Sequence, residues 1–150
     1  MNYVQLCNLV SFFTEISGYN ILYFKINILI RKAMSIYVKT DNPQELVSKI
    51  RVNIDKKVID TWSYDKDGDF THDVDQWRYR AWIRPHIKQE KVIFAIVCRK
   101  DRNMSITEYA VYHGRFVEML LVHFDELCKD ISVTPLGSSY DVINSQSETV

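Results

Sequence analysis

Hydrophobic and polar positions change period several times along this chain, and those changes outline its elements. Ser35–Lys39 alternates, with Ile36 and Val38 on one side, as a short strand does. Asn42-Pro43-Gln44-Glu45 then carries three helix-start signals: an Asn at the cap, Pro at the first helical position and Glu at the third. Leu46, Val47, Ile50 and Ile54 follow at helical spacing and supply one apolar face. Val58–Tyr64 reads as a strand, Asp65-Lys66-Asp67-Gly68 as a tight turn, and Asp69–His72 as its antiparallel return. In that hairpin Trp62, Tyr64, Phe70 and His72 would meet across the pair.

Trp77–Ile87 alternates again, and Pro85 within it argues for an edge or a bulge. Lys91–Arg99 (KVIFAIVCR) is the most apolar strand and is expected at the centre of the sheet, joined to its predecessor by a short hairpin. Ser105-Ile106-Thr107-Glu108 is a capping box, from which a helix is expected to run to about Asp130. Its polar stripe would be Glu108, Arg115, Glu118, Asp125 and Lys129, and its buried side Phe116, Leu120, Phe124 and Leu127. Ala110 and Gly114 would permit close approach to a strand. The order βαββββα predicts an α+β two-layer sandwich: a mainly antiparallel sheet of four or five strands with two helices on one face. Its αβββα portion resembles the order of double-stranded-RNA-binding domains in element sequence alone. The basic start that this family has on its last helix is absent, and Ile106, Glu108 and Tyr109 stand there instead.

Three segments are expected. Residues 34–133 form the domain, beginning at MSIYVKTDNP, and 134–150 read as a polar, disordered tail. Residues 1–33 differ: they are rich in Asn, Ile, Leu, Tyr and Phe, with cations only at Lys25, Arg31 and Lys32. That leader fits a mis-set start codon best, an extra packed helix next, and a weak membrane anchor last. No secretory signal pattern is present. Cys7, Cys98 and Cys128 are odd in number and lack metal-ligand spacing, so no disulfide framework or zinc site is expected and a cytoplasmic location is the default.

The formal net charge is zero, so whole-molecule attraction to nucleic acid is not implied. The charges are nevertheless segregated. Six aspartates lie between Asp60 and Asp75, and a basic stretch follows from Arg78 to Arg102. Within it Arg78, Arg80, Trp82, Arg84, His86 and Lys88 fall on every second residue. In one continuous strand they would share a face, a cationic ladder holding an indole, with Trp77, Tyr79, Ala81, Ile83 and Ile87 turned to the core. Cations beside flat rings hold phosphates and stack bases, and exposed Trp and Arg are also enriched at protein interfaces. The leading expectation is a non-enzymatic interaction module using this face without a cofactor. A protein partner or a second copy of the chain comes first, and RNA or DNA is close behind. On that reading, replacing Arg80 and Arg84 would cost little stability.

The alternative is a small metal-dependent nuclease or phosphoesterase, with Asp65, Asp67, Asp69 and His72 near the metal. Asp65 to Gln76 also follows part of a calcium-loop pattern. Phe70 replaces its glycine and Gln76 its bidentate glutamate, and a plain DKDG hairpin turn explains the same residues. His113 and His123 lack a nucleophile beside them and read as packing residues.

Overall fold

The computed structural model describes residues 35–133 and 139–143. The leader and most of the tail lie outside the described residues. Among the described residues six strands and two helices run in the order β1 (Ile36–Lys39), α1 (Pro43–Asp55), β2 (Trp62–Tyr64), β3 (Phe70–His72), β4 (Ala81–Lys88), β5 (Lys91–Cys98), α2 (Ile106–His123) and β6 (Asp130–Val133), with a 3-10 turn at Asp125–Leu127. The strands form one sheet in the order β2-β3-β4-β5-β1-β6, with every neighbouring pair antiparallel. This is the α+β sandwich the pattern predicts, with one strand more.

Local chemistry accounts for most of these elements. Helix α1 starts at Pro43, whose missing N–H costs nothing there. Asn42 makes no side-chain cap, and Glu45 instead pairs with Lys49 one turn on. Leu46, Val47, Ile50 and Ile54 are all buried, as their spacing requires. Helix α2 begins with a complete capping box, Ser105 and Glu108 each satisfying the other's backbone N–H. β5 is buried on both faces from Val92 to Ile96, which fits its place between β4 and β1. One face of the sheet contributes Ile36, Val38, Phe70, Ala81, Ile83, Val92, Phe94 and Ile96 to a single core shared with both helices. Pro85 is tolerated because β3 touches β4 only through Phe70 and Ile83, so β4 is an edge beyond that point.

Four expectations need correction. β2 is shorter than the apolar run: Val58 and Ile59 donate their N–H groups to the Asn53 carbonyl, closing α1 rather than extending the sheet. α2 stops at His123, because Phe124 leaves helical geometry and the β-branched Ile131 and Val133 pair with β1 as β6. Gly114 touches no strand; a methyl group added there would meet nothing within 4 Å. Residues 139–143, expected to be disordered, are held against the sheet. Val142 pairs parallel with Val97, accepting from Cys98 N–H and donating to the Ile96 carbonyl beyond the end of β1.

Candidate functional site

Only part of the basic ladder is a ladder. Residues 74–80 form turns in which Trp77 and Arg78 both donate to the Val74 carbonyl and Arg80 to that of Trp77. Tyr79 adopts a left-handed φ of 56° and is 54 % exposed, which ends the alternation and contradicts its expected place in the core. Arg78 and Arg80 are therefore not on the strand face. Arg78 pairs with Asp73 and with Asp75, and Arg80 Nη1 donates to Glu108 at 3.0 Å while its guanidinium lies over the Trp77 ring. From Ala81 onward alternation holds, and Trp82, Arg84, His86 and Lys88 stand opposite Val97, Ala95, Ile93 and Lys91 on the side away from the helices.

That side is partly occupied. Tyr140 packs its ring 5.0 Å from His86 and beneath the Lys88 ammonium. Burial, then the neighbouring Arg84 and Lys88, hold His86 below the ordinary histidine pKa, so it adds no charge at neutral pH. Arg84 is committed to Asp69, its Nε donating to both carboxylate oxygens at 3.0 Å. Asp69 is only 4 % exposed, so the guanidinium is the partner that makes its burial tolerable. Glu108 is 5 % exposed and is no part of a solvent stripe. It accepts from Arg80, Arg102 and both donors of Ser105. Burial alone would raise its pKa, but those donors outweigh it and hold the carboxyl at about 2. Arg80 and Arg84 thus each neutralise a buried carboxylate, which argues against the expectation that they are idle for stability.

What remains for a partner is the neighbourhood of Trp82. The half-buried indole borders a hollow of about 390 Å³, together with Arg84, Val97, the Arg99-Lys100-Asp101 turn and Asp65, Asp67 and Asp69.

The acidic hairpin does not converge on a metal. Asp65 Oδ1 accepts from the N–H groups of Asp67 and Asp69, each at 3.0 Å, and Gly68 takes φ 83° to close the turn. Asp69 faces Arg84. His72 lies at the other end of β3, cross-strand from Trp62 and with its ring 4.9 Å from the indole. Among the described residues no three histidine, cysteine or acidic side chains stand close enough to share a metal ion. His113 is buried with Nδ1 bonded to the Tyr109 carbonyl, whereas His123 is exposed. No helix of the described residues is long and apolar enough to cross a membrane.

A larger cleft, about 500 Å³, escaped the pattern-based reading. It lies between the β2–β3 hairpin and the C-terminal half of α2. Its floor is buried Ile59, Trp62, His72 and Met119; Trp77, Asp60, Val58, Arg115, Glu118, Val122 and His123 rise around it. His72 is 5 % exposed, its ring set against the Trp62 indole. Burial first, then Arg115, lower its pKa, so the ring is neutral at pH 7. The only advance signal was the Trp62–His72 cross-strand pairing; α2 supplies the opposite wall from forty residues further along.

The comparisons supply no relatives: no family model, curated protein or solved structure matches the chain.

Proposed function

We propose that the chain is a non-enzymatic interaction module whose partner-binding surface centres on Trp82. One observation carries this reading. A half-buried indole stands on the helix-free side of the sheet, at the edge of a hollow flanked by cationic and acidic side chains together. A rigid amphipathic ring in such a setting is the usual anchor of a protein interface.

A protein partner is favoured over nucleic acid by the charge pairing. Affinity for a phosphate backbone comes from cations that displace counterions. Here Arg78, Arg80, Arg84 and Arg99 already face Asp73, Glu108, Asp69 and Asp101. The metal-dependent hydrolase has no comparable support, because Asp65 and Asp69 are engaged by backbone N–H groups and Arg84, and His72 opens elsewhere. The cysteine pattern fits the reducing cytoplasm as the place of action.

The test is paired. Sedimentation of the full chain reports self-association, and capture from nuclease-treated and untreated lysate reports other partners. Trp82→Ala should abolish the association that the wild type shows, and nuclease should leave it intact. Association that survives Trp82→Ala, or that disappears with nuclease, refutes the reading.

A further inference from the structure

The cleft between the β2–β3 hairpin and α2 has features that packing alone does not require. Its size falls in the range of small-molecule sites, about 300–1,000 Å³. Two indoles border it, and Trp62 is held rigidly, edge-on to Phe116 at 5.0 Å and to Tyr112 at 6.1 Å. His72 completes the floor beside Trp62, its ring centroid 4.9 Å from the indole.

Charge then narrows the class. Arg115 and Glu118 bond to each other at 2.7 Å and cancel. Asp60 is exposed at the rim and makes no ion pair or hydrogen bond among the described residues. With both His72 and His123 counted as neutral, the net formal charge of the lining is that of Asp60, and a cation is better received than an anion. We propose that this cleft is a binding site for a small aromatic amine, its ring against Trp62 and Trp77 and its ammonium toward Asp60. Cation–π attraction to the indole faces works in the same direction. The site is built from residues other than those around Trp82, and its failure would leave the interaction surface untouched.

Three probes that share one ring system separate the contributions: tryptamine, indole and indole-3-acetate. Each is titrated into the isotopically labelled full chain, following the indole N–H resonances of Trp62 and Trp77, with Trp82 as the internal control. Tryptamine should shift Trp62 and Trp77 saturably, leaving Trp82 in place. For a dozen heavy atoms at ordinary ligand efficiency its Kd should be on the order of 1 mM. Indole-3-acetate should bind about tenfold more weakly, a difference of about 1.4 kcal/mol. Asp60→Asn should bring the two together. Val122→Trp places a large ring at an exposed position on the cleft wall and should abolish the shifts while preserving the thermal transition. The proposal is overturned by an absence of saturable shifts up to about 10 mM, by indole-3-acetate binding as well as tryptamine, or by binding that survives Val122→Trp.

Discussion

Replacing Arg84 with alanine tests whether the cations of β4 are spare for a partner or needed by the fold. Asp69 is 4 % exposed, and Arg84 donates to it through Nε and Nη2. Arg84 is itself 42 % exposed along its side chain, so water screens part of the interaction. Breaking a fully buried pair by removing one member costs about 3–5 kcal/mol, whereas an exposed pair is worth about 0–1 kcal/mol. The geometry lies between these limits, with one partner buried and the other half in water. Arg84→Ala should therefore cost about 2 kcal/mol, most of it the penalty of an unpaired buried carboxylate. Asp69→Asn on the Arg84→Ala background should recover a good part of that loss, giving a coupling of about 1 kcal/mol in a double-mutant cycle. Urea unfolding at pH 7, followed by tryptophan fluorescence, measures all four corners of the cycle. A cost below about 0.5 kcal/mol for Arg84→Ala, or strict additivity of the two changes, would refute the assignment of Arg84 to the fold.

Other outcomes follow from the same coordinates. Ile83→Ala should cost about 2–5 kcal/mol in urea unfolding, since Ile83 is buried between Phe70 and Ile96, whereas Trp82→Ala on the opposite side should cost clearly less. Gly114→Ala should stabilise by about 0.5–1 kcal/mol in the same assay, because the glycine sits mid-helix with open space around it. Acid should weaken the fold in two stages on a pH-dependent melting series. Burial lowers the folded pKa values of His72, His86 and His113, so stability falls as pH drops from about 6.5, where the unfolded histidines take up protons first. Glu108 contributes stability above its unfolded value of 4.5 that is lost as pH falls toward about 2, and Glu108→Gln should flatten that second stage.

Signals a few residues long were read correctly, and signals that depend on distant partners were not. Pro43, the Ser105–Glu108 box and the Asp65–Gly68 turn each act within one turn of chain, so α1, α2 and the β2–β3 hairpin were legible. Residues 77–80 continue the alternation of β4 in type, yet the turns at Val74–Arg80 and the left-handed Tyr79 prevent them from continuing it in space. Glu108 has the helical spacing of a solvent residue, but Arg80 from twenty-eight positions away covers it. The end of α2 carries no glycine or proline, and only the open edge of β1 recruits Asp130–Val133 into the sheet. The cleft joins β2, β3 and α2, and no local pattern could announce it.

One hydroxyl changes how the sheet is divided. Where β3 and β4 part after Phe70–Ile83, the Tyr112 side chain enters the seam. Its oxygen accepts from Ala81 N–H, donates to the Trp77 carbonyl and lies 3.3 Å from Thr71 Oγ1, which itself donates to the Ala81 carbonyl. A helix residue thus stands in for the missing rungs between two strands. The β2–β3 hairpin is bound to the rest of the sheet by that tyrosine, the Thr71–Ala81 bond, the Arg84–Asp69 pair and a single cross-strand pair rather than by a continuous ladder. In the vocabulary of hydrogen exchange, its amides are expected to lose protection sooner than those of β4, β5 and β1, which a continuous ladder joins.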